Sequence, residues 1–262
     1  MDNLNIKKKQ IEKFLNFSLK LIEKSNDISL KYYKKTIKPE YKQDNSPVTI
    51  ADKKCEKFLI STIKEKYPEH SFLAEESGIV QTESDFKWII DPIDGTKNFM
   101  RNFPFWGTLL ALEYQGEVIM GVIALPAMKQ VMYAGKGLGC YMNGKKMKVS
   151  KIDSIDKSYF IYGGVEYILQ QPYKEKFLEL VNTSYYDRGY GDCFGHSLVI
   201  AGKAEFMLDP HVSPYDVAPI KICVEEAGGI MTDLKGEKTI YSRGVLTSNG
   251  YMHEKILRQL NG

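Results

Sequence analysis

The 262-residue sequence has little cysteine, little arginine and no long apolar segment. Its cysteines, Cys55, Cys140, Cys193 and Cys223, are far apart and form no Cys-x-x-Cys pair. This spacing argues against a zinc ribbon and a disulfide framework, and it fits a reducing compartment. No apolar run approaches the ~18 residues of a membrane span, and the N-terminus lacks the apolar core of a secretory signal. The absences predict a cytoplasmic protein without a membrane partner.

Arginine supplies only four of the 36 basic residues. This scarcity argues against nucleic-acid binding, because arginine is preferred for bidentate contacts with bases and phosphates. Charge is also unevenly distributed: residues 1–66 carry 16 lysines and nine acids, a net +7, whereas residues 67–262 sum to −4. The basic part is typical of a solvated helical surface, and a basic approach to an anionic substrate or partner is the alternative.

The patterns divide the chain into two parts of one compact α/β unit. Apolar residues at helical spacing predict helices over residues 6–37 and 51–66, and short strand-like runs follow as far as residue 150. Helices and strands alternate after that point. We expect residues 1–150 to form an N-terminal α+β half with an antiparallel sheet, and residues 151–262 a C-terminal α/β half.

The segment Asp91-Pro-Ile-Asp-Gly-Thr96 carries the strongest chemical signal. It follows an apolar strand that we expect to end at Asp91, and a turn then leads to a helix start. Asp91 and Asp94 can converge across this turn, and the N–H groups of Gly95 and Thr96 can bind an anion. Carboxylates repel a phosphate unless divalent cations such as Mg²⁺ lie between them. The alternative is a helix-capping turn without chemistry.

Two further acidic segments favour the chemical interpretation. Glu75 and Glu76 come at the end of a predicted strand, and Asp216 at the start of a predicted helix. Three such acidic sites suit a multi-metal centre for phosphoryl transfer.

Together these segments resemble the inositol monophosphatase superfamily of Mg²⁺-dependent, lithium-sensitive phosphatases. The motifs are Ala74-Glu-Glu-Ser77, Asp91-Pro-Ile-Asp-Gly-Thr96, Tyr215-Asp-Val-Ala218 and Glu226-Ala-Gly-Gly229. The resemblance extends from about residue 40 to residue 250. It implies a layered αβαβα sandwich, a homodimer, and two or three Mg²⁺ ions in each site.

The resemblance also implies roles for individual residues. The metal ligands would be Glu75, Asp91, the backbone carbonyl of Ile93, Asp94 and Asp216. Asp94, Gly95 and Thr96 would bind the phosphate, and a metal-activated water would attack phosphorus directly. The catalytic residues would be Glu75, Thr96 and Asp44, of which Asp44 is assigned to water activation. The alternative for Asp44 is a plain turn residue.

Phe105–Leu112 and Arg188–His196 resemble the histidinol-phosphate phosphatase branch. Asp192 and Asp209 would then face the leaving group, and their charges suit the ammonium and imidazole of histidinol phosphate. This predicts a histidine-biosynthesis enzyme acting on a small phosphorylated metabolite. Asp192 could instead cap a helix.

Three other functions stay open. One is hydrolysis of inositol 1-phosphate or a bisphosphate nucleotide by the same chemistry. Another is a phosphatase of the haloacid-dehalogenase type, although that motif needs Asp-x-Asp spacing, whereas two residues, Pro92 and Ile93, separate Asp91 from Asp94. The third is a macromolecular binding module without catalysis.

Overall fold

The structure, a computed structural model, describes residues 6–43 and 45–262. The helices of this part are α1 (Lys8–Tyr32), α2 (Ile50–Lys66), α3 (Thr96–Met100), α4 (Val165–Ile168), α5 (Lys174–Thr183), α6 (Asp192–Ile200), α7 (Pro214–Glu226) and α8 (His253–Asn261). The strands are β1 (Glu40–Tyr41), β2 (Pro47–Val48), β3 (Ser71–Ala74), β4 (Gly78–Val80), β5 (Phe86–Asp94), β6 (Gly107–Tyr114), β7 (Glu117–Leu125), β8 (Gln130–Gly135), β9 (Gly139–Met142), β10 (Lys145–Lys146), β11 (Tyr159–Tyr162), β12 (Tyr186–Arg188), β13 (Phe206–Asp209), β14 (Ile230–Asp233) and β15 (Val245–Ser248).

Two large sheets organise these strands. The first has eight strands in the order β10-β9-β8-β7-β6-β5-β3-β4, and its only parallel pair among the described strands is β3 with β5. The second has five strands in the order β12-β11-β13-β15-β14, with β11 parallel to both of its neighbours. Strands β1 and β2 form a separate short ribbon.

Helices and sheets alternate in five layers. Helices α1 and α2 cover the outer face of the eight-stranded sheet, α6 and α7 lie between the two sheets, and α5 and α8 cover the outer face of the five-stranded sheet. This arrangement confirms the αβαβα sandwich expected from the sequence. Among the described helices, none combines the length and the apolar composition that a membrane span requires.

Helix α7 owes its position to its composition. Its buried residues lie on all sides of the helix: Val217, Ala218, Pro219, Ile220, Lys221, Ile222, Cys223 and Val224. A helix that is apolar all round must be covered on all sides, and both sheets cover this one. Ser213 and Asp216 form a capping box at its start, and Pro214 occupies the first turn, where its missing N–H costs nothing.

The main departure from the predicted elements concerns strand β5. We expected it to end at Asp91, but it continues to Asp94 with a register shift between these two residues. A bulge of this kind accommodates Pro92 within a strand and redirects neighbouring side chains. The first helix is shorter than predicted and ends at Tyr32. Strand β4, which follows the acidic turn, was not predicted because its three residues are too few to show a period.

Candidate active site

A cavity of about 260 Å³ gathers the acidic residues singled out in the sequence. They come from the ends of β3, β5 and β13 and from the starts of α3, α6 and α7. The predicted residues that line it are Glu75, Asp91, Ile93, Asp94, Gly95, Thr96, Asp192, Asp209 and Asp216. Asp44 lies outside the described residues.

Three carboxylates meet at the centre of this cavity. Asp91, Asp94 and Asp216 each contribute an oxygen, and these oxygens lie within 4.8 Å of one another. Burial is the largest cause that raises the pKa of all three, with the charges of neighbouring acids as a further cause; the pKa of Asp216 is about 8. The Oδ1 atom of Asp91 is buried without a hydrogen-bond partner among the described residues. Crowded oxygen ligands with an unpartnered buried oxygen fit a hard divalent cation.

Hydrogen bonds at helix starts orient two of these carboxylates. The backbone N–H of Cys193, in the first turn of α6, donates to Asp94 Oδ2 at 2.6 Å. The backbone N–H of Ser213 donates to Asp216 Oδ2 at 2.7 Å. Each bond satisfies one oxygen of a side chain that the bulge or the helix start directs toward the cavity.

Glu75 approaches the same cavity from the turn after β3. Its Oε1 atom lies 2.8 Å from the ammonium of Lys42, which also lies 2.8 Å from Glu76 Oε1. Desolvation lowers the pKa of Lys42, but the hydrogen bonds and charges of the two glutamates outweigh it and raise the pKa. The charge of Glu75 is the second cause of the raised pKa of Asp91. Lys42 was not identified from the sequence, because no local pattern shows which glutamates a lysine will contact.

Asp52 is the functional candidate that sequence reasoning missed. It is fully buried in the first turn of α2, and the backbone N–H of Thr49 donates to its Oδ2 at 2.8 Å. Its other oxygen accepts from the Thr96 hydroxyl at 3.3 Å, and that hydroxyl lies 3.0 Å from the carbonyl oxygen of Ile93. Burial raises the pKa of Asp52 to about 6. The sequence signal that could have identified Asp52 is the capping pattern Thr49-x-x-Asp52, because a capping box holds the side chain of its acidic residue in place.

Two further acids line the cavity beside glycines. Asp192 and Asp209 lie there together with Gly163 and Gly191. Burial and then the charge of Asp192 raise the pKa of Asp209 to about 8. A β-carbon on Gly163 would lie 3.0 Å from Asp209 Oδ2, so a side chain there would crowd this carboxylate.

Asp192 has a strained backbone. Its φ of 57° lies in the left-handed region. Asn98 Nδ2, in α3, donates to Asp192 Oδ2 at 3.0 Å. Such strain persists only where the surroundings hold the residue in place, and it is frequent at functional sites.

The described chain matches known proteins over nearly all its length. The model of the inositol monophosphatase family matches residues 10–262. A histidinol-phosphatase of Chlorobaculum parvum is 35% identical, over 93% of this chain and 95% of its own. Inositol monophosphatase 1 of Bos taurus is also 35% identical, over 81% of each chain. A solved structure of an IMPase/NADP phosphatase complexed with Mg²⁺ and phosphate has a TM-score of 0.82 and 26% identity, over 97% of this chain and 96% of that one.

These matches agree with the motifs and with the layered fold, and they confirm the resemblance found in the sequence. The chain belongs to the inositol monophosphatase family, and it is a phosphatase that hydrolyses phosphoric monoesters.

Proposed function

We propose that the protein is a Mg²⁺-dependent histidinol-phosphate phosphatase. The proposed metal dependence rests on the carboxylates of Asp91, Asp94 and Asp216, each of which contributes one oxygen to a group whose members lie within 4.8 Å of one another. Together with Glu75 and the carbonyl oxygen of Ile93, these residues would hold two or three ions. When bound, Mg²⁺ would neutralise charge on the phosphate and make a water molecule a stronger nucleophile.

The proposed proton path starts at the hydroxyl of Thr96. This hydroxyl contacts Asp52 Oδ1, so it can accept a proton from the attacking water while its own proton passes to Asp52. A carboxylate whose pKa is about 6 suits this role, because a base works best when its pKa lies near the operating pH. In this proposal Asp52 takes the water-activating role that the sequence assigned to Asp44.

The phosphate would lie against the start of α3, where the chain turns through Gly95 with a φ of 79°. We propose that the N–H groups of Gly95 and Thr96 bind its oxygens. Lys97 also lines the cavity and adds positive charge at this end. Phosphate would thus be held between backbone donors and cations, with the leaving group directed away from them.

The substrate proposal rests on two further acids that line the cavity. Asp192 and Asp209 would attract a cationic leaving group, and the neighbouring Gly163 and Gly191 present no side chain to it. Histidinol phosphate carries an ammonium and an imidazole. The sequence similarity to a histidinol-phosphatase supports the same assignment, and with it a place in histidine biosynthesis.

Phosphate release from pure protein tests this proposal. With Mg²⁺ present, we expect kcat/KM on histidinol phosphate to exceed that on inositol 1-phosphate by at least ~10-fold, a difference of ~1.4 kcal/mol. Chelation by EDTA and the Asp94→Asn substitution should both abolish release. A preference for the inositol ester, which the similarity to the bovine enzyme makes the main alternative, would overturn the substrate assignment. If the Asp94→Asn variant restores growth of a null strain without turnover, the chain acts as a binding module instead.

The proposal also includes cytoplasmic location, inhibition by Li⁺ and a homodimer. Size-exclusion chromatography with light scattering measures the last of these, since the monomer has a mass of 29.9 kDa.

A further inference from the structure

The turn that carries Glu75 depends on a buried side chain outside the cavity. Residues Glu75–Ser77 connect β3 to β4, and Gly78 closes the turn with a φ of 73°. The backbone N–H of Glu76 donates to Glu56 Oε2 at 2.8 Å, and the hydroxyl of Ser77 donates to Glu56 Oε1. Both carboxylate oxygens of Glu56 therefore bind this turn.

Glu56 is in an unusual environment for a purely structural residue. Only 2% of its surface is exposed, and the groups that donate to it from the turn are a backbone amide and a hydroxyl. A buried carboxylate has a large desolvation cost, so an apolar side chain of the same volume would fill the space at lower cost. The two hydrogen bonds to one short turn are the benefit that offsets this cost.

Glu56 also lies one helical turn after Asp52 on the same helix. Residues four apart lie on the same face of a helix, and both side chains are buried on the inner face of α2. Asp52 contacts Thr96, whereas Glu56 contacts the turn that presents Glu75. One face of α2 thus sets the positions of two separate parts of the cavity.

We infer that Glu56 is a positioning residue for the cation site: it fixes the turn so that the Glu75 carboxylate enters the cavity. This inference rests on the proposed role of Glu75 as a cation ligand. Groups that orient metal ligands commonly change metal affinity by 10- to 100-fold when they are removed. Glu56 therefore acts on the concentration of Mg²⁺ that the enzyme needs, and it leaves the reacting groups in place once the cation is bound.

The first test replaces Glu56 with methionine, which has similar length and no acceptor for the turn. We expect Glu56→Met to raise the Mg²⁺ concentration for half-maximal activity by ~10-fold or more, with kcat at saturating Mg²⁺ within ~2-fold of the parent. The rise of Tm with added Mg²⁺ gives the same midpoint without any substrate. Glu56→Gln should restore most of the affinity, because its carbonyl oxygen accepts from Glu76 and its amide can donate to Ser77.

A matched control separates positioning from lost stability. Glu205 is equally buried, at 2% exposure, and accepts a hydrogen bond from the backbone N–H of Tyr159 at 2.6 Å in the five-stranded sheet. Glu205→Met should lower Tm without moving the Mg²⁺ midpoint. If Glu56→Met moves that midpoint no more than Glu205→Met does, the inference is wrong.

Two more variants keep the test decisive. Ser77→Ala removes one of the two hydrogen bonds and should also raise the Mg²⁺ midpoint, by a smaller factor than Glu56→Met. This variant tests the inference even if Glu56→Met does not fold. An unchanged midpoint in Ser77→Ala would then contradict the inference. Glu75→Gln tests the underlying proposal. If it leaves the Mg²⁺ response unchanged, the proposed function of Glu75 fails; if it weakens the response and Glu56→Met does not, only the positioning role fails.

Discussion

At the scale of single residues, Asp52 connects the start of α2 to the hydroxyl of Thr96. We predict that Asp52→Asn lowers kcat by about 10²- to 10⁴-fold, the usual contribution of a general base, with little change in KM at saturating Mg²⁺. Asp233→Asn is the control, since Asp233 is a buried aspartate outside the cavity that accepts hydrogen bonds from the backbone N–H groups of Lys235 and Glu237. It should cost about 1 kcal/mol of stability while kcat stays nearly unchanged. Asp44→Asn should have a small effect. A larger loss in Asp44→Asn than in Asp52→Asn would return the role to Asp44.

Asp192 gives a second prediction at this scale, because Asn98 holds its side chain in the lining of the cavity. Asp192→Asn should raise KM for histidinol phosphate by ~10-fold, or ~1.4 kcal/mol, because the attraction to a cation is lost. KM for a phosphate ester with an uncharged leaving group should change much less. Equal losses on both esters would mean that Asp192 only supports the strained start of α6.

The sequence identified most of the candidate site but not all of it. Asp91, Asp94 and Asp216 are visible because each follows an apolar strand or opens a helix, and carboxylates at such places rarely serve packing. Asp52 has the same chemistry, yet it is a normal helix-capping residue by pattern, and only its contact with Thr96 distinguishes it. Glu56 was missed because nothing in a helical sequence shows which distant turn a buried side chain reaches.

At the scale of elements, the close contact between β7 and α7 controls where Asp216 lies. A β-carbon on Gly121 would lie 2.6 Å from the Cα atom of Pro219 and 2.7 Å from a methyl group of Ile222. Gly121→Ala should therefore push α7 outward and destabilise the protein by about 1–3 kcal/mol, as overpacking generally does. Because Asp216 lies in the first turn of α7, the Mg²⁺ midpoint should rise as well.

Thermal unfolding and Mg²⁺ titration measure these two effects. Gly189→Ala is the control, since its β-carbon would come no closer than 3.3 Å to the ring of Tyr162 and its backbone is not left-handed. If Gly121→Ala matches this control, the contact between β7 and α7 is looser than the structure indicates.

The elements themselves were predictable to different degrees. The apolar character of Trp88–Ile90 and the turn signals that follow predicted a strand and a helix start, and both exist. The bulge that extends β5 to Asp94 depends on pairing with Gly107 in β6, which no local pattern encodes. Helix α7 was predicted within one residue at each end, but its cover by two sheets follows only from the three-dimensional arrangement.

At the scale of the whole molecule, buried acids make stability depend on pH when no metal is added. Burial raises the pKa of Asp209 to about 8 from an ordinary value of 3.8. Between these two pKa values the folded state binds more protons than the unfolded state. The contribution of Asp209 to the free energy of unfolding is therefore highest below pH ~4, and it falls as the pH rises toward 8. In EDTA we predict that Tm falls between pH 5 and pH 8 for this reason.

Asp209→Asn isolates the contribution of this side chain, because asparagine does not ionise. At pH 8 in EDTA the variant should be more stable by about 1 kcal/mol or more, which corresponds to about 2–4 °C in Tm for a chain of this size. At pH 5 the two proteins should differ less. Parallel Tm curves for the two proteins over this range would contradict the raised pKa.

Helix α7 has a consequence for how the chain unfolds. Its side chains belong to the core that the two sheets share, so neither sheet keeps a complete apolar face after the helix leaves. We therefore expect the two halves to melt in a single cooperative transition rather than one after the other. Since the same helix begins at Asp216, an ion bound at that end would shift the melting of the entire chain, and the supply of Mg²⁺ in the cell would help to set the lifetime of the folded protein.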